Sequence, residues 1–149
     1  MIAISTCRPC STWLDVGASD LVTIGRTQSA LIQSSLPWCN RRLISDTDAL
    51  TTAAWSEMML GHVPEGVMDG FRQADLYLLT DIDIPWSDDG TRYYADPKDR
   101  ARFMDICERV LDEAGARWAR IRGSGEARLE QSVAEVKSFL PLQLAAAAR

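Results

Sequence analysis

The sequence predicts an α/β sandwich built on a parallel sheet, and three observations carry that expectation. Short apolar bursts alternate with longer helical periods in the order strand–helix–strand–helix–strand–helix. The run LYLLT, residues 76–80, shows no polar–apolar alternation, as in a strand covered on both faces. Gly61, Gly115, Pro37, Pro97 and Pro141 stand where helices would stop or start.

In chain order, residues 1–19 are poorly defined: MIAIS reads as a short strand and RPCSTW as loop. From Leu21 to about Leu36, Leu21, Ile24, Leu31 and Ile32 mark one helical face, with Asp20 as the N-cap and Pro37 as the end. Leu43 and Ile44 form an apolar burst, read as a strand over 42–45 that stops at Asp46. TTAAWSEMML reads as a helix closed by Gly61. LYLLTDI follows, then a loop rich in acid and Gly. Pro97 opens a helix with Phe103, Ile106, Val110 and Leu111 on one face, closed by Gly115. WARIR, residues 118–122, is the next strand. GSGE turns into a last helix with Leu129, Val133, Val136 and Leu140 on one face, ended by Pro141. The main domain is 20–140, and 141–149 is a frayed tail.

At 149 residues and 46% apolar composition, the chain is the size of one domain and holds enough apolar residues for a core. Its formal charge of −5 argues against bulk binding to nucleic acid or an anionic membrane, but leaves room for a small anionic ligand held by local arginines. No apolar run is long enough to span a membrane, and MIAISTC has no basic segment of a secretory leader. The cysteines are Cys7, Cys10, Cys39 and Cys107. Only Cys7 and Cys10 form a CxxC, and His62 is the single histidine, so neither a zinc site nor a disulfide framework is indicated; a reducing, cytoplasmic setting fits.

Parallel strands bring their carboxyl ends to one sheet edge, where ligands of such folds bind. DTD (46–48) and DIDIPWSDDGTR (81–92) both fall at such ends. Asp46 and Asp48 read either as caps of the following helix or as carboxylates near a bound Mg²⁺. Arg92, Arg100 and Arg102 suit charge neutralisation in phosphoryl transfer, and equally suit ion pairs on a solvated helix. Trp86, stiffened by Pro85, can stack on a flat ring or sit at the rim of the core. GSGEAR offers backbone N–H groups at a strand-to-helix turn, but it is no Walker A loop, which needs Gly-Lys-Ser/Thr. The two lysines, Lys98 and Lys137, do not follow glycines, so the sequence contains no phosphate loop of that kind.

ISDTDALTTAAW, ADLYLLTDIDIPWSDDGTR and IRGSGEAR, in this order and spacing, resemble the ribosylnicotinamide-kinase domain of NadR-type proteins, which are AAA/kinase-like P-loop ATPases of NAD metabolism. The DxDxPWxxDGxR segment is the specific part, and the likeness covers roughly residues 20–140. The resemblance implies a three-layer sandwich of P-loop kinase type, and transfer of phosphate from ATP with Mg²⁺ to the ribose 5′-hydroxyl of nicotinamide riboside. By position, it implies that Asp46 and Asp48 lie near the metal. Trp86 would lie at the substrate end, with Asp88, Asp89, Gly90 and Arg92 in the lid over it. Arg100 or Arg102 would contact phosphates, and Gly123 and Ser124 would lie near adenine. The family opens with a strand and a GxxxxGKS/T loop, where this chain has MIAISTCRPCST. The expectation is therefore an N-terminally incomplete fold, either a piece of a longer kinase or a shortened relative. It would be inactive, with an exposed apolar sheet face that invites self-association. A non-catalytic module that binds a nucleotide or a partner is the other reading.

Overall fold

A computed structural model describes residues 16–88 and 94–147. Expectations for MIAIS, Cys7, Cys10, Asp89, Gly90 and Arg92 lie outside the described residues. The chain divides into two compact units that meet between Phe71 and Arg72 in the sequence.

The first unit is a helical pair. Helix α1 spans Ala18–Ser35 and continues into a 3₁₀ turn at Leu36–Trp38; α2 spans Ala49–Leu60. The N-cap of α1 is Gly17, not Asp20. Asp20 sits one turn inside and its carboxylate accepts the Gly17 N–H at 2.9 Å, which satisfies a donor that the helix start leaves open. Asp48 caps α2 by accepting the Thr51 N–H at 3.1 Å, and Gly61 ends it with φ +78°, the left-handed stop that its position predicts.

The two helices meet through small residues. The buried stripe of α1 is Leu21, Gly25 and Ser29, one turn apart, while Ile24 and Leu31 of the expected face are exposed. On α2 the buried set is Ala49, Leu50, Thr52, Ala53, Ala54, Ser56 and Met58. The sequence reading weighted side-chain size, whereas close approach of the backbones selects the small residues. Gly25 shows why: a Cβ there would overlap the carbonyl oxygen of the fully buried Val67 and press on its Cγ1 at 3.2 Å. Helix propensity alone favours alanine over glycine by about 1 kcal/mol. Overpacking against fixed backbone costs about 1–3 kcal/mol. Gly25→Ala is therefore expected to destabilise the chain on balance, as read by a lowered midpoint in urea.

Residues 42–45 are not a strand. They run as irregular chain into α2, with Leu43 at 38% and Ile44 at 93% exposure. A strand needs a neighbour to take its backbone hydrogen bonds, and no strand is described in this unit. Asp46 thus stands in a bend rather than at a strand tip, and the premise that placed it beside the DIDIPW segment on a shared sheet edge falls away.

The second unit is a β–α–β–α run: β1 Tyr77–Thr80, α3 Pro97–Glu113, β2 Trp118–Ile121 and α4 Gly125–Ala147. The strands pair in parallel with Tyr77 opposite Trp118 and Thr80 opposite Ile121, as their apolar runs and the intervening helix predict. Among the described residues the sheet has these two strands only, so a wider sandwich is not seen. β1 correspondingly alternates between half-buried and exposed residues instead of being covered on both faces, and Leu78 is 37% exposed. Pro97 holds the first position of α3, and its cap Asp96 accepts the Lys98 N–H at 2.8 Å. Met104, Ile106, Val110 and Leu111 of α3 and the fully buried Ile121 of β2 form the core.

Two expectations for α4 are corrected. The helix runs through Pro141 to Ala147: proline removes one backbone bond, and the strong helix formers after it carry the helix on. Of its expected apolar face, Leu129 at 63% and Val133 at 41% are exposed, while Val136 is half-buried. Polar residues also face inward: Gln131 bridges the Arg120 carbonyl and the Arg122 N–H, and Arg128 turns toward β1.

Candidate functional site

The exit of β1 organises the second unit. The parallel register continues one step beyond the paired residues, since the Asp81 N–H donates to the Ile121 carbonyl at 2.8 Å. That step sets Asp81 beside Arg122, whose Nε donates to its carboxylate at 2.9 Å; Arg120 stands 3.5 Å away. The Arg122 hydrogen bond, helped by the Ile82 N–H and the Arg120 charge, outweighs desolvation and holds the Asp81 carboxyl below the ordinary aspartate value of 3.8. The sign follows: the charged form is favoured in the folded chain, so this stabilisation is present above 3.8 and is lost as pH falls through the lower folded value. Asp81→Asn is expected to flatten the acid limb of a plot of Tm against pH below about pH 4, with little change in slope at neutral pH.

Asp83 is held in the same way. One of its oxygens accepts the Gly123 N–H at 2.6 Å and the other accepts from Arg128. Arg128 also donates to the carbonyls of Gly123 (2.7 Å) and Asp81 (3.1 Å). From α3, Arg100 donates to the carbonyls of Ile82 at 2.8 Å and Ile84 at 3.0 Å. Four arginines, Arg100, Arg120, Arg122 and Arg128, thus hold the segment 81–84, and three of them meet its acids. Asp81 answers Arg120 and Arg122 at the neighbouring strand, and Asp83 answers Arg128 of α4.

The clamped segment leads through Pro85 to Trp86. Around it lies an open cavity of about 280 Å³, floored by Thr80 and Asp81. Ile82 and Ile84 form one wall, Trp86, Tyr94 and Phe103 supply aromatic faces, and Arg100 and Arg128 stand at its polar side. Among the described residues the buried indole N–H of Trp86 has no hydrogen-bond partner. Burial, with Asp99 nearby, raises the Tyr94 hydroxyl above its ordinary value against the opposing charge of Arg102. Tyr94 is also the one non-glycine residue with positive φ among the described residues, at 52°. An apolar, aromatic cavity with a few convergent polar groups is the usual form of a small-molecule site.

The structure sorts the expected site residues. Trp86 and Arg100 line the cavity, whereas Arg102, two residues on along α3, is exposed and does not line it. Asp88 is exposed. Gly123 has φ +86°, and both its N–H and its carbonyl are engaged by Asp83 and Arg128. Ser124 is exposed on the turn into α4. In the first unit, Asp48 is 6% exposed and engaged as a helix cap, while Asp46 is exposed. No group of three His, Cys, Asp or Glu side chains that could hold a metal occurs among the described residues. Asp81, Asp83, Tyr94, Phe103 and Arg128 were not singled out from sequence. The available signal was the DID at one strand exit matched by arginines at 120, 122 and 128 at the next.

The chain belongs to the AAA domain family, whose model matches residues 26–128. The matched region contains DTD, DIDIPWSDDGTR and GSGEAR through Arg128. It is a NadR-like domain of P-loop kinase type: over 106 residues the chain is 27% identical to the trifunctional NAD biosynthesis/regulator protein NadR of Escherichia coli (strain K12). That likeness covers 69% of this chain and 26% of NadR, so the chain spans about a quarter of that relative's length. Among the described residues no helix is long and apolar enough to cross a membrane.

Proposed function

We propose that the second unit carries the nucleoside site of a nicotinamide riboside kinase-type domain, and that this sequence binds the nucleoside without phosphorylating it. The observation that carries the reading is the aromatic cavity at the β1 exit, formed by the family-like DIDIPW segment itself, with Trp86 and Tyr94 in its walls. A flat ring set against these faces gains stacking, and the unpartnered Trp86 N–H offers a donor to a ring substituent. Arg100, rather than Arg102, is the arginine set to meet a phosphate near this cavity, because only Arg100 lines it.

For ATP and Mg²⁺ the residues fit in part. Mg²⁺ keeps several waters and takes one or two carboxylates beside phosphate oxygens. Of the two acids that the resemblance assigns to the metal, Asp46 is exposed, while the Asp48 carboxylate is committed to the cap of α2. When bound, the metal would neutralise phosphate charge. Nothing in the sequence supplies the Gly-Lys-Ser/Thr cradle for the phosphates. The three-layer sandwich, ATP as donor and the lid role of 88–92 belong to the same proposal.

Calorimetric titration with nicotinamide riboside tests the site: saturable one-to-one binding supports it, and absence of binding to the folded chain contradicts it. A second reading, a module that binds a protein partner or a second copy of itself, is favoured by the exposed Leu129 and Val133 on α4. Sedimentation equilibrium decides whether copies associate.

A further inference from the structure

We infer that Arg128 and Asp83 are a positioning pair that sets the orientation of Trp86; this rests on reading the cavity as the nucleoside site. The two residues close a ring of hydrogen bonds. Asp83 divides its two oxygens between Arg128 and the Gly123 N–H, and Arg128 returns to the Gly123 carbonyl while also holding the carbonyl of Asp81. The arginine is largely buried, with 18% of its side chain exposed, whereas Arg122 is 67% exposed and bonds to Asp81 alone among the ion pairs of this cluster.

The ring holds the Asp81 carbonyl and the Asp83 carboxylate against the turn into α4. Arg100 fixes 82 and 84 from the other side. Only Pro85, with its restricted φ, separates this frame from Trp86. A rigid guanidinium fork reaches three acceptors in fixed directions, which an ammonium on a flexible stem does not reproduce. Trp86 thus inherits its placement from Arg128 through the segment; because Arg128 also lines the cavity, this effect is read from Trp86 in the unliganded chain.

The test uses the full chain carrying 5-fluorotryptophan, with the Trp86 ¹⁹F resonance assigned by its loss in Trp86→Phe. Arg128→Ala, Arg128→Lys and Asp83→Asn are compared for that resonance, for Tm and for calorimetric affinity toward nicotinamide riboside. Each variant is expected to shift or broaden the Trp86 resonance in the unliganded chain and to weaken binding about tenfold. Arg128→Lys is expected not to rescue, and the Arg128→Ala, Asp83→Asn double variant to bind no worse than the weaker single. A lowered Tm with the Trp86 resonance and affinity unchanged overturns the inference and leaves the pair a structural tie. If the wild type binds no nicotinamide riboside, the nucleoside reading fails, while the resonance in the unliganded variants still decides the positioning role. Should Arg128→Ala not fold, Asp83→Asn and Arg128→Lys, which preserve side-chain size, carry the test.

Discussion

Purified as the 149-residue chain, this protein is expected to transfer no measurable phosphate from ATP to nicotinamide riboside. Phosphoryl transfer depends on positioning and neutralising the β- and γ-phosphates, and in P-loop enzymes a backbone cradle and its lysine do that work. Here the two lysines are Lys98, in the first turn of α3, and Lys137, far along α4, and neither belongs to a glycine-rich loop. Loss of a single preorganised contact costs on the order of 10²–10³ in rate; a missing cradle removes several at once. Fusing a strand and GxxxxGKS segment from a related kinase ahead of residue 16 is expected to recover turnover. Asp46→Asn is then expected to abolish it, because the resemblance assigns the metal to Asp46 and Asp48, and of these Asp48 already caps α2. Turnover is measured by coupled ADP release. Robust phosphorylation by the chain as it stands would mean that another group here holds the phosphates.

The second large effect is expected at Trp86. Replacing an aromatic platform under a flat ring costs about 1–3 kcal/mol, which corresponds to roughly five- to 150-fold in affinity. Trp86→Ala should therefore weaken nicotinamide riboside binding by that factor. Because its N–H has no hydrogen-bond partner among the described residues, the substitution leaves no additional described group unsatisfied in the unliganded chain. Trp86→Phe, which keeps the ring face and removes the donor, is expected to fall between the two. An affinity equal to wild type in Trp86→Ala would move the ring elsewhere in the cavity.

Local signals in the sequence were legible where one residue dictates backbone geometry. Pro97 starts α3, and Gly61 and Gly115 take the positive φ at which α2 and α3 stop. The parallel pairing of YLLT with WARI followed from two apolar bursts separated by one helix. The misses have physical causes. RRLIS is apolar at Leu43 and Ile44, but a strand is a property of a pair, and no neighbour is described for it. Periodicity favoured large residues on α1 and α4, while contact selected Gly25 and Ser29 on one and Arg128 and Gln131 on the other. The cavity was half legible: Trp86 and Arg100 stood out by type. Asp81, Asp83 and Arg128 matter through partners some 40 positions away in sequence, and such pairing emerges only when β1 and β2 lie side by side.

The central claim is a nucleoside site without a kinase reaction, and isothermal titration of the folded chain with nicotinamide riboside tests it most directly. The account predicts one saturable site, weakened in Trp86→Ala, in a preparation that releases no ADP from ATP in the presence of the nucleoside. No binding heat at millimolar nicotinamide riboside, in a chain whose circular dichroism and cooperative unfolding show it folded, would contradict it.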